Sequence, residues 1–172
     1  MQLLIDLGKV PLWKNSRALG MVVRYILQAN TEVNLKVLEV NRIVHRKSGG
    51  RIPLIPPLYR SGVRYKEEPT DWEIEHFDTI PAALKRKWVD CDDAAPWRAA
   101  ELRFTGEDPK ANIMVKWRPL PGGKKLYHVV VRRSNIKRAD NFQFFKDARG
   151  FYEDPCRVLG MGQAAAQKHA GI

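Results

Sequence analysis

The chain has 172 residues, of which 44% are hydrophobic and 28% charged, a size and composition typical of one globular domain with its own core. Its formal net charge of +11 favours polyanionic surroundings such as nucleic acid or acidic partner proteins. Neither a zinc-ligand spacing nor a nucleic-acid-binding motif accompanies that charge. We therefore favour a solvated basic surface over dedicated nucleic-acid binding.

Membrane, secretory and disulfide-rich classes are disfavoured. No apolar stretch approaches the roughly 20 residues of a membrane-spanning helix, so no membrane span is expected. Asp6 interrupts the short apolar run at residues 1–10, which argues against a secretory signal. The two cysteines, Cys91 and Cys156, are far apart in sequence and indicate a reducing site of synthesis.

Residues 1–50 are predicted to form an N-terminal helical extension. Residues 16–30 are rich in Leu, Met, Val and Ile. Valines then recur at i, i+4, i+7 and i+11, the spacing of a helical stripe: Val33, Val37, Val40 and Val44. Apolar and polar residues also alternate within residues 33–37, so a strand is the alternative prediction there. Glycines at 49 and 50 predict the end of the helix.

The remainder is predicted to form a core over residues 51–162 and a tail over 163–172. The core opens with the apolar, proline-rich segment 52–58, which we interpret as an extended arm packed on the protein. A short helix is expected to begin near Pro81, since proline is favoured at the first helical position. The predicted strands are 112–118, 126–133 and 151–154, with a turn at 121–123 between the first two.

Residues 91–104 are predicted to form the central helix, with Cys91 in its first turn. Asp90 is the expected N-cap, and Asp93 would complete an acidic variant of the capping box. A stripe along the helix is expected to face the core: Cys91, Ala95, Ala99 and Leu102. Unpaired backbone N–H groups and the helix dipole stabilise a thiolate at such a position.

His128, in a run of apolar residues, and Asp154, before Pro155, follow Cys91 on separate predicted strands. Taken singly, each has a structural explanation: a buried small hydrophobe, a core histidine and a turn residue. Taken together, the order Cys, His, Asp on three different elements is typical of a nucleophile with its base and the residue that orients the base. The sequence thus predicts a thiol site.

Several segments carry a family resemblance: Asp90–Asp93, Trp97–Arg103, Tyr127–Arg132, Glu153–Pro155 and Leu159–Met161. They resemble the transglutaminase-like cysteine peptidases encoded by tailed bacteriophages, and Pro57–Tyr65 resembles an arm of those proteins. The resemblance implies an α+β fold with a papain-like or transglutaminase-like core, in which a nucleophile helix packs on an antiparallel sheet. It implies Cys91 as nucleophile, His128 as base and Asp154 as orienter.

The resemblance also implies a biological setting. The reaction would be acyl transfer on a peptide or peptidoglycan-type amide, either hydrolysis or transamidation, without a metal or organic cofactor. The protein would be made in the cytoplasm of the host bacterium and associate with other proteins of the virion.

Three features depart from the family pattern and keep a second interpretation open. Pro96 lies inside the nucleophile helix, residues 134–150 form a long insert, and Cys156 stands where serine is more usual. A protein that kept the fold without catalysis would be a structural or assembly component of the phage particle, in the head–tail region or the tail.

Two further site hypotheses concern oxyanion binding and partner binding. The indole N–H of Trp88 would join the Cys91 backbone N–H in binding the oxyanion of the reaction intermediate. The insert would bind a partner through aromatic and basic side chains: Phe142, Phe144, Phe145, Arg138 and Arg149. The alternative for the phenylalanines is that they cap the core of their own chain.

Overall fold

The computed structural model describes residues 16–67, 76–119, 125–136 and 143–161. Over these residues the protein has a mixed α+β fold, with a long N-terminal helix and an antiparallel sheet. The predicted α+β class is confirmed at this level. The predicted tail, the turn at 121–123, Arg138 and Phe142 lie outside the described residues.

Helix α1, Ser16–Lys47, is one continuous helix of 32 residues, so the strand left open at 33–37 is not formed. Its middle turns bind the rest of the fold through buried amides. Asn30 Nδ2 donates to the Asp78 carbonyl at 3.0 Å, and the Ile80 N–H donates to Asn34 Oδ1 at 2.9 Å. The helix ends as predicted, because glycines 49 and 50 both have positive φ.

The proline-rich arm packs against α1, as predicted. Asn41 donates to the Pro53 carbonyl at 3.1 Å and accepts from the Ile55 N–H at 2.8 Å. Beyond the arm, strand β1, Arg64–Tyr65, pairs in parallel with strand β2, Trp88–Val89. Between these strands lies helix α2, Ile80–Arg86, with a proline in its first turn, as the sequence predicted. Two-residue strands have no periodicity, and neither strand was predicted.

Helix α3, Cys91–Thr105, packs against α1 and the sheet. Pro96 removes one backbone hydrogen bond, yet the helix continues through it because the loss falls early, near the N-terminal groups that lack partners in any helix. Small buried residues allow close packing: Ala94, Ala95, Ala99 and Ala100. The predicted core-facing stripe packs with Val129 and Val131 of the sheet.

The main sheet has four antiparallel strands in the order β3-β4-β6-β5. They are β3, Asn112–Pro119; β4, Lys125–Arg133; β5, Phe144–Asp147; and β6, Gly150–Glu153. Helix α4, Pro155–Val158, follows β6 directly. Part of the predicted insert is therefore the edge strand β5, which pairs with β6. Since β6 pairs only with residues 131–133 of β4, the first half of β4 extends past its end.

Candidate thiol site

His128 and Asp154 form a buried pair. His128 Nε2 lies 2.9 Å from Asp154 Oδ2, and the two residues are 3% and 1% exposed. The pair forms where the sheet ends. His128 lies in the part of β4 beyond its pairing with β6, and Asp154 is the residue at which the chain leaves β6. Two of the three residues predicted for the site are thus in direct contact.

The Asp154 carboxylate is fixed through both oxygens. Oδ1 accepts the Cys156 N–H at 3.1 Å and so caps helix α4. Oδ2 lies 3.1 Å from Arg157 Nε as well as facing the imidazole. A carboxylate held in this way sets the orientation of the ring, and it favours the tautomer with the proton on Nε2. In that tautomer, Nδ1 is the ring nitrogen that would accept a thiol proton.

Cys91 is the first residue of α3 and is half-buried. It packs against both hydrophobic clusters of the core, one of which contains Cys156. Burial raises the pKa of the Cys156 thiol, with further contributions from Asp154 and Cys91. Because Cys91 packs against the cluster that contains Cys156, it lies on the side of the core where the chain continues from Asp154. The roles assigned to the three residues remain a prediction.

Asp90 is the N-cap residue of α3, as predicted, but the predicted capping box of Asp90 and Asp93 is wrong. The Asp90 side chain makes no capping hydrogen bond. The Asp93 carboxylate instead accepts the Asp78 N–H at 2.6 Å and pairs with Arg86. The sequence signal was ambiguous because an acidic residue at the third helical position serves equally as a cap or as a partner for a distant arginine.

Asp92 and Asp93 are buried rather than solvated first-turn charges. Burial raises the pKa of both carboxyls, and the neighbouring Asp90 raises them further. Potential ligand oxygens of Asp90, Asp92 and Asp93 lie within 4.8 Å of one another. A cation could bridge such oxygens, and a proton retained by one of the carboxyls relieves the same repulsion. Protonation also reduces the negative charge beside Cys91.

Replacing Asp92 by asparagine is expected to stabilise the protein at neutral pH. The raised pKa means that the folded state binds the Asp92 proton more tightly than the unfolded chain does. Stability is therefore lost as pH rises above about 4, the ordinary aspartate value. Asp92→Asn removes this loss, so its advantage in the free energy of unfolding should grow from pH 4 to 7 in urea titrations.

Asp108→Asn is the matched control. Burial acts to raise the pKa of Asp108, but hydrogen bonds from Ser134 and Arg133 outweigh it and the pKa is lowered. That substitution should therefore cost stability at pH 7, and the cost should shrink as the pH falls. Equal effects of the two substitutions at pH 7 would contradict the electrostatic explanation.

The residues predicted for oxyanion binding and partner binding contact side chains of their own chain or are exposed. The centroid of the Trp88 ring lies 3.7 Å from the Arg86 guanidinium carbon and 5.1 Å from Lys66 Nζ. Phe145 stacks on Tyr152 of its own chain at 5.3 Å. Phe144 is half-buried, whereas Arg149 is exposed. The partner-binding role of the insert remains a prediction, and Phe145 already has a packing role.

Two features near the site carry no distinct sequence signal. Tyr65 ends the arm segment that resembles the phage proteins. No role was assigned to it from the sequence, because its position depends on the two-residue strand β1. Glu153, the residue before Asp154, is fully buried and forms ion pairs with Arg98 and Arg133. A buried network of this kind brings together residues from α3, β4 and β6, and no local pattern reports it.

No family model, curated protein or solved structure matches this chain. In the parts of the chain that the structure describes, no helix is long and apolar enough to cross a membrane.

Proposed function

We propose that this chain is a phage-encoded, transglutaminase-like thiol protein that transfers acyl groups from amides and associates with the virion. The observation that carries the proposal is the buried His128–Asp154 pair, 2.9 Å apart, near a helix whose first residue is Cys91. The papain-like core belongs to the same proposal, supported by a Cys-bearing helix packed on an antiparallel sheet.

The proposed reaction has two halves. The Cys91 sulfur attacks the amide carbonyl carbon while His128 Nδ1 takes the thiol proton. The carbonyl oxygen becomes an oxyanion, which the Cys91 backbone N–H stabilises. When the C–N bond breaks, His128 returns the proton to the leaving amine, and a thioester remains on Cys91. Water then gives hydrolysis, or a second amine gives transamidation, and the thiol is regenerated.

Incubating the purified protein with glutamine-containing peptides and a fluorescent primary amine tests this function by mass spectrometry. We expect hydrolysed or amine-labelled peptide with the unaltered protein and none with Cys91→Ala. Cys156→Ala is the control, because it removes the other thiol and leaves Cys91 in place. Product formation that persists in Cys91→Ala would contradict the proposal.

A second candidate, a non-catalytic assembly component, is favoured by exposed apolar surface away from Cys91. A depression of about 580 Å³ follows residues 32–44 of α1 and contains no predicted catalytic residue. Val40, at 56% exposure, and Leu54, at 52%, extend the apolar surface. If virions contain this chain stoichiometrically and phage carrying Cys91→Ala remain fully infectious, the assembly role is supported over the enzymatic one.

A further inference from the structure

Tyr65 lies where the two halves of the proposed site meet. Its backbone N–H donates to the Leu159 carbonyl at 2.9 Å, just beyond helix α4. Its partner across the parallel β1–β2 pair is Val89, two residues before Cys91, and the next N–H, of Lys66, donates to the Val89 carbonyl at 3.0 Å. One residue thus joins the segment leading to Cys91 to the segment following Asp154.

The Tyr65 side chain lies on the same side of the β1–β2 pair as Val89, because strand partners in register share a face. It is half-buried and packs on the hydrophobic cluster that contains Val89 and Cys156, against which Cys91 also packs. Burial raises the pKa of Tyr65, and its nearness to Cys156 and Cys91 raises it further. The phenol therefore remains a hydrogen-bond donor throughout the physiological pH range.

The proposed reaction requires more than one donor for its oxyanion. Cys91 is the first residue of α3, so its backbone N–H lies at the N-terminal end of the helix, where it would serve as one donor to the oxyanion. The Trp88 indole is poorly suited as the second donor, because Trp88 alternates with Val89 along β2 and its ring contacts the cations Arg86 and Lys66. Tyr65 is on the Val89 face, toward the cluster that Cys91 contacts.

We infer that the Tyr65 hydroxyl is a catalytic group that donates the second hydrogen bond to the oxyanion formed when Cys91 attacks a carbonyl. This inference rests on the proposed function of Cys91. It assigns Tyr65 a role in stabilising the intermediate, whereas His128 and Asp154 act on the thiol proton.

N-acetylglycinal, a minimal peptide aldehyde, provides a test that requires no known substrate. The Cys91 sulfur adds to the aldehyde carbon, a C–S bond forms, and the thiol proton moves to the carbonyl oxygen, so the product carries its oxygen where the oxyanion would lie. Adduct formation is measured as protection of Cys91 from iodoacetamide in full-length protein. Alkylation itself creates no oxyanion, so it reports thiol reactivity alone.

Tyr65→Phe should weaken aldehyde protection about 2–10-fold, the value of a hydrogen bond to the neutral oxygen of the adduct, and leave the alkylation rate at each pH unchanged. Tyr25→Phe, a matched change at a tyrosine 71% exposed on α1, should alter neither. Unchanged protection in Tyr65→Phe, or an equal change in alkylation, would overturn the role of Tyr65 while leaving the function intact. An unaltered protein whose Cys91 reacts with neither reagent would overturn both.

Discussion

Asp154→Asn is expected to reduce acyl transfer by up to about 10⁴-fold, the effect of forcing the wrong imidazole tautomer in a catalytic triad. In the unaltered protein, Asp154 Oδ1 accepts the Cys156 N–H at 3.1 Å and caps α4. An asparagine side chain keeps one oxygen for this hydrogen bond. Its amide group then faces His128 Nε2 as a donor. The imidazole must accept there and carry its proton on Nδ1, so Nδ1 can no longer take the proton of the Cys91 thiol.

Asp147→Asn is the matched control for this substitution. Like Asp154, Asp147 pairs with a basic side chain, because its Oδ2 lies 2.6 Å from Lys116 Nζ. Asp147 lies on β5, however, and takes no part in the proposed reaction. Its removal should leave turnover within about twofold of the unaltered protein. Comparable loss of activity in both variants, or a wild-type rate in Asp154→Asn, would contradict the assignment of Asp154 as the orienting residue.

Glu153→Gln is expected to have the largest effect on stability, a loss of about 3–5 kcal/mol. Glu153 is fully buried, and its carboxylate accepts from Arg98 Nε at 2.8 Å, from Arg133 Nη1 and from the Tyr59 hydroxyl. Glutamine keeps the volume but removes the charge, so two largely buried guanidinium groups lose their shared counter-ion. Chemical denaturation at pH 7 measures the difference.

Glu107→Gln provides the control. Glu107 Oε1 lies 2.8 Å from Arg133 Nη2, so it pairs with one of the arginines that bind Glu153, but its side chain is 50% exposed. A solvated pair contributes at most about 1 kcal/mol, so this variant should unfold almost as the unaltered protein does. Equal losses of stability in Glu153→Gln and Glu107→Gln would contradict the view that burial determines how much the ion pairs of Arg133 contribute to the free energy of unfolding.

The parts of the fold that the sequence predicted are those with strong local periodicity. The valine stripe of α1, the alanine-rich α3 and the apolar strand around His128 follow from spacing alone. The parts it missed depend on distant partners. Strand β5 forms because Phe144–Asp147 pairs with β6, and β1 forms because it pairs with β2 across the intervening α2.

The candidate site shows the same division. The order of Cys91, His128 and Asp154 was visible in the sequence, and so was the position of Cys91 at the start of a helix. The contact of Asp93 with Arg86 and the placement of Tyr65 between Val89 and Leu159 were not visible. In both cases the partners are set by how α2 and β1 pack, so only the three-dimensional structure reveals them.

The most direct test of the thiol site is the rate of Cys91 alkylation by iodoacetamide as a function of pH, in a Cys156→Ala background that leaves a single thiol. An activated cysteine should show a midpoint well below the ordinary value of about 8.5, and His128→Ala should move the midpoint up toward that value. A midpoint at or above about 8.5 that His128→Ala leaves unchanged would contradict the proposal that His128 activates Cys91.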